Sequence, residues 1–375
     1  MDLEKNILEL LRINDADQLN SLIEENHKID IAIAIEEFSD EDISIFTIIV
    51  QTNLMAEIIE ESEEDMQIKL IAAIPSNKVI EIFSHMSKDN IADILGILPV
   101  NLRKHYLSSM KSSDSKEIQM LLSYGEETAG GIMTTQYISL KNTLNIKETW
   151  NKIKSIAPKT EVIETIFIVD EKEHLVGTAD LRDILIADEN SSIMDIVDEN
   201  IISIEPETDQ EEVSLLVSKY DLNVIPVVNK KNVIIGIITV DDIIDVIVEE
   251  QTEDLLHLSG ISPEETFDNT LKNSVKQRLP WLFVNLFTAF LASFTVGLFE
   301  DTIAQVVALA AAMPIVAGMG GNAGSQTLSL VIRGIALGEI EIKKDWKLVF
   351  REVLLGLVDG FFVGIMAGII LSIRY

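Results

Sequence analysis

The sequence contains no cysteine, so no disulfide and no thiolate metal site can form. Its start, MDLEKN, is acidic and lacks an apolar stretch, so a signal peptide is not expected. The five histidines, His27, His85, His105, His174 and His257, are scattered without ligand spacing. There is no phosphate-binding Gly-Lys-Ser/Thr loop, no His-Glu-x-x-His and no nucleophile elbow, which argues against an enzyme. Positive charge is scarce: 29 Lys and Arg face 62 Asp and Glu, a net of −33 over 375 residues. The imbalance is not uniform. From Lys276 to Tyr375 there are eight basic and seven acidic residues, a net of +1, so residues 1–275 carry −34. Such a front part repels nucleic acid and anionic lipid and attracts cations.

The C-terminal part is long in apolar runs. Trp281 to Phe299 has no charged residue, and its 19 residues span about 29 Å as a helix, the thickness of a bilayer core. A second apolar segment runs from about Thr302 to Leu337, and a third from about Val349 to Ile373 with Arg351, Glu352 and Asp359 inside it. Three such segments in a row read as membrane spans. Lys276 and Arg278 precede the first, and Arg333, Lys343, Lys344, Lys347 and Arg351 surround the second-to-third connection. The first-to-second connection has no Lys or Arg, so the basic sides and the acidic front part are expected in the cytoplasm, with the spans in the cytoplasmic membrane.

Two stretches of the middle region resemble each other at an offset of about sixty residues. GGIMTTQYISL opens one and SSIMDIVDENIISI the other, and Ile166–Leu185 aligns with Val224–Ile244. Gly177 matches Gly236 and Asp183 matches Asp242, six residues on in each copy. Each copy reads as a helix (about Ile146–Ile156 and Asp209–Tyr220), a strand, a polar turn, a second strand ending in Gly and a further helix. These residues resemble a tandem CBS-domain pair, and CBS pairs often bind adenine nucleotides. Thr178, Asp180 and Asp183 in the first copy, or Thr239 and Asp242 in the second, are candidates for a ribose; the same residue types are also ordinary helix caps.

Residues 1–127 show no strand pattern. From Ile74 a period near twelve appears, IPSNKVIEIFSH, MSKDNIADILGI, LPVNLRKHYLSS, each unit opening with Pro or Ser. Pro in the first turn and Ser at the cap start short helices, so a wound stack of short helices is expected.

Between the repeat and the membrane spans lies TVDDIIDVIVEEQTEDLLHLSG, Thr239–Gly260. Asp242, Asp245, Glu249 and Glu253 fall on one helical face, widened by Asp241, Glu250 and Asp254. Like charges at these spacings destabilise a helix by about 0.2–0.5 kcal/mol per pair. A solvated acidic face is the plain reading. A hard divalent cation held through its waters would supply the missing charge, and carboxylates without Cys and with few His suit Mg2+ better than Zn2+.

The second span holds PIVAGMGGNAGSQT, Pro314–Thr327. Gly318 and Gly324 read as small-residue packing sites. Pro314, Gly320, Gly321, Asn322 and Gln326 together read as irregular backbone and amide groups lining a wet cavity, with Asn322 foremost for contact with a hydrated ion. Asp359 in the third span is a further intramembrane carboxylate.

The order of parts resembles the MgtE-type magnesium channels and transporters over essentially the whole chain. ETAGGIMTTQYI (Glu127–Ile138), TDQEEV (Thr208–Val213), Val240–Asp254 and the Gly-Gly-Asn-Ala-Gly-Ser-Gln run carry the resemblance. It implies a homodimer with its pore at the dimer interface and a cytosolic Mg2+ sensor. The sensor residues it points to are Asp209, Glu211, Asp221, Asp242, Asp245, Glu250, Glu253 and Asp254, with Asp89 and Asp93 on the helical domain. It also implies a connecting helix from about Asp242 to Ser274. The expected architecture is an all-α superhelical domain (1–127), an α/β tandem CBS pair (128–248), a connecting helix (249–275) and a transmembrane helical bundle (276–375). The family has five spans and carries its pore carboxylate in the last. Three spans are legible here, against the five that the resemblance implies.

The expected mechanism is closure by Mg2+: shared ions replace repulsion among the acidic domains and hold the pore shut. Moving such an equilibrium from mostly open to mostly shut takes about 5.5 kcal/mol of differential binding. The competing readings are a membrane-anchored adenine-nucleotide sensor and a CBS-containing exporter of unrelated fold. Chloride channels are disfavoured because their CBS pair follows the membrane domain.

Overall fold

In the computed structural model, residues 2–157, 160, 162–263, 265, 270–337, 340 and 346–374 are described. They divide into two compact units, Met1–Ile243 and Ile244–Tyr375.

The first unit opens, among the described residues, with ten short helices: α1 (Asp2–Ile13), α2 (Ala16–Glu25), α3 (Lys28–Ile35), α4 (Asp40–Ile49), α5 (Thr52–Glu60), α6 (Glu64–Ala73), α7 (Ser76–Phe83), α8 (Lys88–Ile97), α9 (Val100–Ser109) and α10 (Ser112–Leu121). The N-caps of α2 to α10 are Asp15, His27, Ser39, Gln51, Glu63, Pro75, Ser87, Pro99 and Lys111, twelve residues apart throughout. The period seen from Ile74 onward therefore extends back to Asp15. Pro75 and Pro99 stand at the cap itself, not in the first turn as expected; a fixed φ suits either place, and the cap needs no N–H of its own. Packing follows the period. Four residues after the cap, Leu19, Ile31, Ile43, Met55, Val79 and Ile91 are buried, and eight after it, Ile23, Ile35, Thr47, Ile59, Ile71, Phe83 and Leu95. Most of these helices lean on the one two places along, α1 on α3, α3 on α5, α5 on α7, α4 on α6, α6 on α8 and α8 on α10.

Three of the scarce cations of this domain close helix C-termini, where carbonyls lack partners. Lys78 donates to the carbonyls of Thr47 (2.6 Å), Ile48 (3.3 Å) and Val50 (3.3 Å) at the end of α4. Arg103 donates to Leu95 (2.6 Å) and Gly96 at the end of α8, and Lys28 to Ile23 (3.0 Å) near the end of α2.

The repeat folds as two similar halves. The first has β1 (Ser139–Lys141), α11 (Ile146–Ile156), β2 (Thr165–Val169), β3 (Leu175–Asp180) and α12 (Leu181–Ile186). The second has α13 (Gln210–Tyr220), β4 (Val224–Val228), β5 (Ile234–Thr239) and the start of α14 (Val240–Leu258). Strand β1 pairs parallel with β2, which pairs antiparallel with β3, and β4 pairs antiparallel with β5. Both hairpins carry an irregularity at the same place, Ile168/Val169 and Val227/Val228. The opening segment of each copy crosses to the other's sheet: Thr134 bridges Ile237 of β5, and Asp198 bridges Thr178 of β3. This explains the matched glycines. A Cβ at Gly177 would overlap Val197 and come within 2.8 Å of the Asp198 carbonyl, and one at Gly236 would lie 2.6 Å from Met133 Sδ and 3.0 Å from the Thr134 carbonyl.

The second unit holds three helices long and apolar enough to cross a membrane: α15 (Leu271–Gly297), α17 (Val307–Ala336) and α18 (Trp346–Arg374), with the short α16 (Glu300–Gln305) between the first two. Two expectations change. The connecting helix was expected to run to Ser274, but α14 stops at Leu258 before Gly260, and α15 starts ten residues before Trp281. The PIVAGMGGNAGSQT stretch was expected to be irregular. It is continuous helix within α17, and the break falls at Val306. Pro314 sits in the second turn of α17, where it removes one backbone bond without ending the helix, as membrane helices tolerate. Lys343 and Lys344 of the expected basic cluster lie outside the described residues.

Candidate functional site

The first unit gathers carboxyls around α8. Asp89 and Asp93 stand one turn apart on that helix. The Thr134 hydroxyl, on a residue only 2% exposed, donates to Asp89 Oδ1 at 3.0 Å. Thr134 is held in turn by its backbone, which exchanges two hydrogen bonds with Ile237 of β5 at 2.8 and 2.9 Å. Asp242, in the first turn of α14, accepts from the Thr239 hydroxyl at 2.5 Å. So α8 of the helical domain, the opening segment of the repeat and the end of β5 meet at one carboxyl-rich place.

Its electrostatics are unfavourable to further negative charge. Burial raises the pKa of Asp89 against the hydrogen bonds it accepts. Asp93 still reaches solvent, yet it is pushed up to about 7, first by desolvation and then by the charges of Asp89, Glu126, Asp242 and Glu64. Asp242 is raised by burial first and then by Asp241 and Asp89, against the Thr239 bonds. Glu60, which accepts from the Ser87 amide at 3.2 Å, is raised mainly by burial, with smaller additions from Asp89 and Glu57. Among the described residues no Lys or Arg forms an ion pair with Glu60, Asp89, Asp93 or Asp242; Lys88, beside Asp89 in sequence, pairs with Asp114 at 3.3 Å. Among the described residues, too, no group of three His, Asp or Glu stands close enough to hold a bare metal ion.

Of the residues expected to sense Mg2+, this place brings together Asp89, Asp93 and Asp242. Asp209 caps α13, accepting from the Glu211 amide at 2.9 Å, and Asp221 closes the same helix in the left-handed conformation (φ 51°). Asp245, Glu250, Glu253 and Asp254 lie on the part of α14 that belongs to the second unit, where Glu253 is 3.7 Å from His257. Glu60, Glu126 and Thr134 went unnoticed in the sequence. Glu60 lies on α5 and Glu126 after α10, and only the stacking of the twelve-residue units brings them to α8.

The nucleotide candidates lie on the first repeat half. Thr178 is tied through its backbone to Asp198 (3.0 and 2.9 Å), Asp180 caps α12, and Arg182 lies 3.8 and 3.7 Å from Asp180 and Asp183.

In the second unit, α17 packs on α18. The Thr327 hydroxyl donates to Glu352 Oε2 at 3.1 Å. Asn322 and Gln326, one turn apart, are exposed, as are Gly320, Gly321 and Asp359. Glu352 on α18 thus has a hydrogen-bond partner on α17.

Comparison with known proteins agrees with this organisation part by part. Residues 26–127 match the MgtE intracellular N domain, residues 129–190 and 193–249 match CBS domains, and residues 313–375 match the divalent cation transporter family MgtE. The chain is 32% identical to the magnesium transporter MgtE of Bacillus subtilis over 98% of its own length and 80% of that protein's. It is 29% identical to the magnesium transporter MgtE of Thermus thermophilus over 94% and 79%. Among solved structures it is similar to the soluble part of a magnesium transporter (30% identity, TM-score 0.62, covering 66% of this chain and 98% of that one). It is also similar to the cytosolic domain of the Mg2+ channel MgtE in complex with ATP (29% identity, TM-score 0.61, 65% and 99%). An acidic helical domain, a CBS pair and apolar helices, each aligned in the same order with these relatives, make the chain a member of the MgtE family of magnesium transporters, which are not enzymes.

Proposed function

We propose that the protein conducts Mg2+ across the cytoplasmic membrane and that its acidic domains, on the cytoplasmic side, sense Mg2+ and close the pore. The observation that carries this reading is the crowding of Asp89, Asp93 and Asp242, desolvated and without a cationic partner among the described residues. Their mutual repulsion favours separation of the helical domain from the CBS pair. A divalent cation binding between them reverses the sign of that interaction, and hydrated Mg2+ tolerates water-mediated contact better than a softer metal. Asp209, Glu211, Asp221, Asp245, Glu250, Glu253 and Asp254 are further contacts for regulatory ions in this reading.

The transported ion passes beside Gly320, Gly321, Asn322, Gln326 and Asp359, where amide and carboxylate oxygens bind the ion's waters. A second copy of the chain completes the pore. Support for a homodimer comes from α12, which leaves Leu185 and Ile186 60% and 79% exposed. The similar cytosolic domain solved with ATP supports nucleotide binding at the CBS pair, near Thr178, Asp180 and Asp183.

Limited proteolysis of the full chain in lipid nanodiscs tests the sensor. Cleavage between the helical domain and the repeat slows in millimolar Mg2+ relative to EDTA; equal rates contradict the reading.

A further inference from the structure

Helix α14 and the first membrane helix α15 are separated by the twelve residues Ser259–Thr270. A free chain of that length has a root-mean-square span of about 19 Å, enough to absorb a displacement of one helix without moving the other. Two contacts in the structure join residues of this connection to α15.

The first is at the end of α14. Gly260 adopts φ +67°, a conformation that disfavours any side chain, and the amides of Gly260 and Ile261 return to the carbonyls of His257 and Leu256 at 3.0 Å each. The indole of Trp281 on α15 occupies the space that a Cβ at 260 would need. The helix stop and the membrane helix thus touch at a residue that tolerates neither a side chain nor an ordinary φ.

The second lies one turn earlier on α15. Arg278 donates from Nε (3.1 Å) and Nη2 (2.7 Å) to one oxygen, Oε1, of Glu265. The Glu265 side chain is 5% exposed, whereas that of Arg278 is 55% exposed. The other Glu265 oxygen is buried without a hydrogen-bond partner among the described residues. A buried carboxylate needs a counter-charge, so Glu265 is held to Arg278 on α15.

We propose that Gly260–Trp281 and Glu265–Arg278 form a clamp that makes the end of the connecting helix and the first membrane helix move as one body. The four residues position the gate and do not bind the ion. This rests on the reading that the acidic domains close the pore, because the clamp carries their displacement into the membrane.

The absence of native cysteine makes the test direct. In the full chain in nanodiscs, spin labels on Leu255→Cys and Leu271→Cys, at positions 63% and 82% exposed, report the distance across the connection. The distribution is narrow in the parent, broad in Gly260→Ala and Arg278→Gln, and narrow again in Arg278→Lys, which keeps the charge. Unchanged width in Gly260→Ala and Arg278→Gln overturns the clamp. A second readout separates coupling from mere structure: thiol modification of Ser325→Cys, an exposed position to which no ion contact is assigned. Mg2+ slows it about fivefold or more in the otherwise unaltered protein and leaves it unchanged in Arg278→Gln. Broadened distances with intact Mg2+ dependence overturn the coupling role. Absence of Mg2+ dependence with every clamp residue in place defeats the gating reading instead, while the label widths still judge the clamp.

Discussion

Thr134 donates its hydroxyl proton to Asp89 across 3.0 Å, joining the eighth helix of the superhelical domain to the opening segment of the CBS pair. The bond stabilises one carboxylate at a place where four raised carboxyls, Glu60, Asp89, Asp93 and Asp242, lack ion-pair partners among the described residues. Thr134→Val keeps the shape and removes the donor. It is expected to destabilise the contact by about 1–3 kcal/mol and to raise the Mg2+ concentration needed for protection from protease. A protection curve superimposable on that of the unaltered protein would contradict this role.

Asp93 links the site to pH. Its carboxyl is raised from 3.8 to about 7 in the folded chain. Between those values the folded state holds a proton that the unfolded state has lost, so stability falls as pH rises through this window. Mg2+ replaces the missing proton above it. The increase in melting temperature produced by Mg2+ is therefore larger at pH 8 than at pH 6. Asp93→Asn flattens that difference, and an equal Mg2+ effect at both pH values would count against the site.

The matched glycines of the repeat test its geometry. Gly177→Ala forces a methyl group against Val197 and the Asp198 carbonyl and is expected to cost about 1–3 kcal/mol by denaturant unfolding. Gly236→Ala meets the flexible Met133 side chain first, although the Thr134 carbonyl also lies at 3.0 Å, so its cost is the smaller of the two. The reverse order would mean that the two crossings are packed differently.

Lys78 tests the use of scarce cations as helix ends. Desolvation lowers its pKa, against the opposing charge of Glu81, and three carbonyls at the end of α4 share its ammonium. Lys78→Met leaves them unpaired, and a loss of about 1–3 kcal/mol is expected in the unfolding of the helical domain. No measurable loss would place the stability of the α4 end elsewhere.

The domain order, the duplicated strands and the acidic stripe were all legible from sequence, because each rests on a local pattern. The twelve-residue period was legible only from Ile74, where Pro and Ser mark the caps. Further back the caps are Asp15, His27, Ser39, Gln51 and Glu63, and the buried Thr47 replaces an aliphatic side chain, so the same geometry has no fixed residue signature. The carboxyl site was half visible. Asp89, Asp93 and Asp242 carry charge in suggestive motifs, whereas Glu60 and Glu126 reach α8 only through stacking. Pro314 and the glycines of α17 suggested a broken helix because local propensity disfavours them, yet a membrane helix keeps its hydrogen bonds where no water competes for them. The extent of the connecting helix to Ser274 was implied by the family resemblance alone, whereas α14 stops at Leu258, two residues before the positive φ of Gly260.

The central claim is that Mg2+ draws the helical domain onto the CBS pair through Asp89, Asp93 and Asp242. With no native cysteine to interfere, spin labels on Val100→Cys and Glu199→Cys, both exposed, measure the separation in the full chain. The account predicts a shorter and narrower distance in millimolar Mg2+ than in EDTA, and the same short distance without Mg2+ when all three acids are changed to Asn. A distribution unaltered between EDTA and Mg2+ would contradict it.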